Sequence, residues 1–239
     1  MKVNSKQLNG FTADSLKICL LQLESPFDEI LEKTWRPGGH FFAPIQKNED
    51  KYKQRITRLA AMLSTLQSSG QRIDVLVLPE YAFLKNDAQL TNNNIDTLDF
   101  LRRYCETAKT IIVGNCYDST RRLSETFVII PSGHFSTAAP FEGPSMVAAY
   151  KVTRSRYDMD TLADLTPDME TVLRLEWHSA TTPSKMAYIQ ILTCKDFLYF
   201  TSLVPLRNHP DVIRLDRACP KRWDFGNIII RTYDISVTA

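Results

Sequence analysis

The sequence predicts an α/β fold built in layers, and three observations predict it. Two long segments in the first half carry apolar residues at helical spacing. Short apolar runs rich in Val, Ile and Leu lie between and beside them. Past about residue 125 the strand-like runs follow one another in succession. Helices alternating with strands, then strands in a row, is the pattern of sheets covered by helices.

The elements follow in order. "MKVNSKQLNGFTADS" (1–15) is polar and lacks the apolar core of a signal peptide. "LKICLLQLE" (Leu16–Glu24) predicts a first strand, buried on both faces or nearly so. "SPFDEILEKTWRPGGHFFAPIQ" holds the only Gly-Gly, between Pro37 and Pro44, and reads as a long loop or insertion around 26–47. Tyr52, Ile56, Leu59, Met62, Leu63 and Leu66 then mark one face of a helix, with Asn48 placed to cap it and Gly70 to stop it. A strand is expected over 73–78, a second amphipathic helix over Asn94–Lys109, and a strand over Thr110–Asn115. "ETFVIIPSGHF" (Glu125–Phe135) is a strand running into a Pro-Ser-Gly turn, and "MVAAYKV" (Met146–Val152) is strand-like. "METVLRLEW" fits helix or strand. "MAYIQILTCKDF" (Met186–Phe197) is a strand meeting a polar tip, "LYFTSLVPLRN" fits a short helix broken by Pro205, and "PDVIRLD" and "NIIIRTYDISV" are late strands. No composition break forces a boundary, so one domain over 1–239 is expected.

Composition narrows the function classes. The chain has 239 residues, 44% hydrophobic and 23% charged, enough to bury its own core. A formal net charge of +2 is too small to argue for nucleic acid. No apolar run approaches the ~20 residues of a membrane span, so no membrane partner is expected. Five cysteines, odd in number and widely spaced without CxxC, argue against a disulfide framework or zinc ribbon and for a reducing, cytoplasmic setting. The four histidines are scattered, so neither a metal nor another cofactor is expected.

Three predicted strands end on reactive side chains. "DVLVLPEY" delivers Glu80, "AAYKVTRS" delivers Lys151, and "IQILTCKDF" delivers Cys194. Ligand sites in open α/β sheets gather at the carboxyl ends of strands. The three types make one chemistry. A thiol needs a base or cation to become a nucleophile, which Glu80 supplies by taking its proton. Lys151 stabilises the oxyanion of a tetrahedral intermediate, with the backbone N–H of Lys195 as a second donor. Taken singly, each has an ordinary alternative: a solvated strand end, a surface lysine, a core cysteine.

In this order the segments resemble the nitrilase, or carbon–nitrogen hydrolase, superfamily. "LKICLLQLE" is similar to its opening strand, "DVLVLPEY" to the segment of its catalytic Glu, "AYKVTRS" to its Lys segment, and "IQILTCKDF" to the strand and elbow of its nucleophile, with Asp196 two residues on. The resemblance implies a four-layer α-β-β-α sandwich. It implies Glu80 as general base, Lys151 as oxyanion stabiliser and Cys194 as nucleophile of an acyl-enzyme. The implied activity is hydrolysis, or acyl transfer, at a non-peptide C–N bond of a small amide or nitrile. Homo-oligomers, or fusion to another domain, are expected of such a chain. "NCYDS" around Cys116 imitates the nucleophile motif, but Cys116 precedes Lys151, whereas the nucleophile should follow it.

The sequence departs from the family at particular residues. Lys195 stands where the family usually has an aromatic, and Phe197 and Leu198 where it has an Arg. With Arg154 and Arg156, Lys195 fits an anionic substrate, although a solvated basic face fits as well. Many members use a second Glu after the Lys, a place for which only Asp158 and Asp160 are candidates. Tyr81, beside Glu80, is a further candidate for the binding pocket. The segment 215–239 does not resemble the family's ending, so the second sheet is expected to be shortened, or the chain to be a domain of a larger protein. Two other functions stand beside this one: an inactive nitrilase-like interaction or oligomerisation domain, to which these departures point, and, more remotely, a metal-dependent phosphoesterase of similar four-layer architecture with Glu80 as metal ligand, whose first-strand Asn, late Asp-x-Asn and closing His are not evident.

Overall fold

The computed structural model describes residues 2–13, 15–23, 31–36, 39–44, 49–79, 81–91, 93–118, 123–133, 144–150, 171–184, 186–193 and 228–235. It is a mixed α/β structure with two principal sheets and a small third one. In chain order the elements are β1 (Lys2–Thr12), β2 (Ile18–Leu20), β3 (Leu31–Arg36), β4 (Gly39–Pro44), α1 (Glu49–Ser68), β5 (Val75–Val77), β6 (Phe83–Leu84), a 3-10 turn (Ala88–Leu90) and α2 (Thr97–Ala108). Then come β7 (Ile111–Asp118), β8 (Leu123–Ile130), β9 (Ser145–Tyr150), β10 (Thr171–His178), β11 (Met186–Thr193) and β12 (Ile228–Ile235).

The first sheet runs β2-β5-β7-β8-β9, with the short β6 also on β7. β2, β5 and β7 are parallel, while β7–β8 and β8–β9 are antiparallel. Two reversals return β9 to the direction of β5. The carboxyl ends of β5, β7 and β9 therefore share one sheet edge. The second sheet runs β1-β10-β11-β12, parallel at β1–β10 and antiparallel after it.

Side-chain alternation along the first sheet builds two cores. Leu76, Ile112, Phe127 and Ile129 face α1 and α2, meeting Leu59, Leu63, Leu98 and Leu101. Val75, Val77, Ile111, Val113, Val128 and Ile130 face the second sheet, meeting Leu8, Leu173, Leu175, Trp177, Ile189 and Ile191. Helices, first sheet and second sheet thus lie in that order. Each fully buried leucine, such as Leu59 or Leu63, contributes about 1.5–3 kcal/mol by leaving water.

Both helices have readable ends. Asp96 caps α2, its carboxylate accepting from Leu98 N–H at 2.8 Å. Lys109 closes it in the left-handed region at φ 51°. Gly70, at φ 64°, follows α1 in the same region, where a glycine is least strained.

Some expectations are corrected. β2 is not buried on both faces: it is the sheet's edge strand, and Ile18 and Leu20 are 39% and 62% exposed. Met62 is exposed because the buried face of α1 runs through Tyr52, Arg55, Leu59 and Leu63, one position away. The polar N-terminal segment forms β1, an edge strand held to β10 by backbone pairing. The stretch read as a loop contains the β3–β4 hairpin, which pairs Arg36 with Gly39. "METVLRLEW" resolves as strand β10, with Leu173, Leu175 and Trp177 inward at period two. The expected elements within 194–227 lie outside the described residues. Among the described residues no helix is long and apolar enough to cross a membrane.

Candidate functional site

Three described strands lead up to the three chemical residues. β5 leads through Leu78 and Pro79 to position 80, β9 ends at Tyr150, and β11 ends at Thr193. β5 and β9 leave the first sheet by the same edge, whereas β11 belongs to the second sheet. Glu80, Lys151, Cys194, Lys195, Asp158 and Asp160 lie outside the described residues. Tyr81 is described: it is buried, and its ring lies 6.1 Å from that of Tyr117.

The backbone at Tyr81 has the left-handed φ of 53°, which costs a non-glycine residue about 1–3 kcal/mol. Two neighbours hold it there. Asn115 on β7 accepts the Tyr81 N–H on its side-chain Oδ1 at 2.9 Å, and the Ala82 N–H on its carbonyl at 3.0 Å. Arg55 on α1 donates from Nε to the Ala82 carbonyl at 2.8 Å and from Nη2 to the Tyr81 carbonyl at 3.3 Å. Asn115 is in turn oriented by donating Nδ2–H to Thr126 Oγ1 on β8 at 3.2 Å. Arg55 and Asn115 are fully buried, where an unpaired polar group would be costly.

Beside this elbow lies a charged cluster. Lys85 donates to Glu125 Oε2 at 2.6 Å and sits 3.6 Å from Asp118 Oδ2, and both carboxylates are buried. Burial acts to lower the Lys85 pKa. The Glu125 hydrogen bond and the charges of Glu125 and Asp118 outweigh it, so the ammonium is held above its ordinary range. In register, Glu125 lies opposite Cys116 on one side and Tyr150, the neighbour of Lys151, on the other. The Cys116 thiol is fully buried, and burial first and the Glu125 charge second push its pKa well up. Such a thiol is inert.

A third cluster ties the following loop to both helices. Tyr52 O–H donates to the Asp87 carboxylate, which also accepts from Thr97 Oγ1 at 2.6 Å and Thr97 N–H at 2.7 Å. Tyr52 Oη accepts the Leu84 N–H at 3.0 Å. Burial pushes the Asp87 carboxyl upward against these hydrogen bonds.

No protein-family model matches the chain. No curated protein matches it either.

Sequence reasoning missed Arg55, Asn115, Lys85, Asp118 and Glu125. A signal for two of them was present. Arg55 falls three residues after Tyr52 and four before Leu59, on the apolar face of the helix. Asn115 interrupts the otherwise apolar run between Ile111 and Tyr117. Among the described residues no three His, Cys, Asp or Glu side chains are grouped to hold a metal ion. A surface cavity of about 600 Å³ opens at the opposite end of β5 and β7, lined by residues such as Ile73, Asp74 and Thr110. That is the amino end of the parallel strands, away from the edge where such sheets bind ligands.

Proposed function

We propose that this chain is a thiol-dependent hydrolase or acyltransferase of the carbon–nitrogen hydrolase type, acting on a small amide. Cys194 attacks the amide carbon as Glu80 accepts the thiol proton, and the carbonyl oxygen becomes an oxyanion facing Lys151. Collapse of the intermediate breaks the C–N bond. The proton held by Glu80 passes to the leaving nitrogen, and the acyl group remains on Cys194 as a thioester. Glu80 then takes a proton from water, or from another acceptor, as that acceptor attacks the thioester carbon; the C–S bond breaks, the acyl group leaves on the acceptor, and Glu80 returns the proton to the Cys194 sulfur. The four-layer sandwich is part of the same proposal, and the order of helices, first sheet and second sheet supports three of its layers.

The observation that carries this reading is the built elbow after position 80. A strand end whose only task is to reach solvent needs no left-handed tyrosine held by a buried arginine and a buried asparagine. The elbow stands at the sheet edge that also holds the carboxyl end of β9, whose last residue, Tyr150, precedes Lys151 in the sequence.

Ammonia release from a panel of short carboxamides, with and without a second anionic group, tests the proposal. Glu80→Gln, Lys151→Met and Cys194→Ala are each expected to lower turnover about 100-fold or more. Full turnover by Cys194→Ala would refute the mechanism. A folded chain that turns over no amide and whose Cys194 is no more reactive than a free thiol would be an interaction module instead.

A further inference from the structure

The two buried side chains at the elbow suggest more than packing. Between them Arg55 and Asn115 engage every backbone polar group of Tyr81 and Ala82: the Tyr81 N–H, the Ala82 N–H and both carbonyls. They come from opposite supports, Arg55 from α1 and Asn115 from β7. Arginine is almost never fully buried unless it is paired, and here Arg55 is fully buried with Nε and Nη2 donating to the Ala82 and Tyr81 carbonyls. A left-handed non-glycine residue persists where its surroundings over-determine it, and such residues cluster at functional sites. Tyr81 directly follows Glu80.

We propose that Arg55 and Asn115 are positioning residues for Glu80: they lock the peptide groups on either side of Tyr81 and so fix how the chain presents residue 80 to the reacting thiol. The inference rests on the proposed role of Glu80 and goes beyond it by assigning the supports. A catalytic carboxylate must be held to within a fraction of an ångström, and displacing it about 1 Å costs on the order of 100-fold in rate.

The test is the pH profile of Cys194 alkylation by iodoacetamide in the full chain, read by mass spectrometry of the Cys194 peptide. A carboxylate beside a thiol disfavours the thiolate, so Glu80→Gln is expected to lower the alkylation midpoint by about 1 pH unit. Asn115→Ala and Arg55→Lys are expected to lower it in the same direction, because each releases Glu80 from its place. Combining Glu80→Gln with Asn115→Ala should lower it no further than Glu80→Gln alone. The charges of the described cluster and clamp (Lys85, Asp118, Glu125 and position 55) are kept in these clamp variants. Leu63→Ala, which opens a cavity in the helix-facing core, serves as the control: it should lower the melting temperature and leave the midpoint in place. A wild-type midpoint in either folded clamp variant, alongside a shifted Glu80→Gln, would overturn the positioning role alone. An unshifted Glu80→Gln would instead remove the proposed base, and this inference with it. Should Asn115→Ala fail to fold, Arg55→Lys decides the question.

Discussion

Gly114→Ala isolates the packing beneath the elbow. Gly114 lies on β7, one residue before Asn115 and directly opposite Phe127 on β8. A Cβ at position 114 would stand 2.4 Å from Phe127 Cζ and 2.9 Å from its Cε2. Carbon atoms pack at about 3.5–4.0 Å, so the ring must retreat by more than 1 Å. It has little room to do so. Phe127 is fully buried and its ring is packed against Phe83 at a centroid distance of 5.6 Å. The added methyl also gains hydrophobic burial of roughly 1 kcal/mol, but overpacking of a tight core costs about 1–3 kcal/mol net. For a chain of this length that is a fall of about 2–12 °C in melting temperature. The assay is urea unfolding followed by tryptophan fluorescence, for Gly114→Ala, Phe127→Leu and the pair. Phe127→Leu should be destabilising alone and should restore part of the stability lost to Gly114→Ala, giving a non-zero coupling. An unchanged unfolding midpoint for Gly114→Ala, or strictly additive effects, would refute the close approach of Gly114 to Phe127.

Three further outcomes are expected. Lys85→Met leaves the buried carboxylates of Glu125 and Asp118 without their shared cation, and should cost about 3 kcal/mol in urea unfolding; adding Glu125→Gln should recover part of it, and full additivity would count against the cluster. Burial alone would raise the Glu106 pKa, but hydrogen bonds from Lys109 and Ser132 win and hold it down at about 2 from the usual 4.5. A depressed carboxylate contributes stability that is complete above about pH 4.5 and lost as pH falls towards 2, so the fall in melting temperature across that window should be shallower in Glu106→Gln; an identical slope would contradict the assignment. Native-state alkylation should modify the half-buried Cys19 well before Cys105 and Cys116, since burial pushes the Cys105 thiol up to about 12 and Cys116 upward too; equal rates at all three would contradict that order.

The parts of the fold legible in the sequence are those with a strong period. α1, α2 and the apolar strands β5, β7 and β8 stand where the apolar pattern puts them, because both faces of these strands are buried and the sequence reads as a continuous run. Edge strands were harder. β1 is polar because backbone pairing to one neighbour holds it, and β2 carries exposed Ile18 and Leu20 that look like core residues in the sequence. At the candidate site the sequence pointed to the reactive side chains but not to their supports. Arg55 and Asn115 act across 26–27 and 33–34 residues of chain through backbone atoms of 81 and 82, and such contacts leave no local motif. Only polar residues on otherwise apolar faces betray them.

The central claim is that Cys194 is an activated nucleophile served by Glu80 and Lys151, and labelling by 2-chloroacetamide, a small amide with a thiol-reactive carbon, tests it most directly. Peptide mapping after brief exposure near neutral pH should find a single adduct, on Cys194, among the five cysteines. The labelling rate should fall about tenfold in Lys151→Met, as loss of the cation raises the thiol pKa by about one unit. An adduct on Cys19 or Cys116 with Cys194 untouched, or a Cys194 rate indifferent to Lys151→Met and Glu80→Gln alike, would contradict the account.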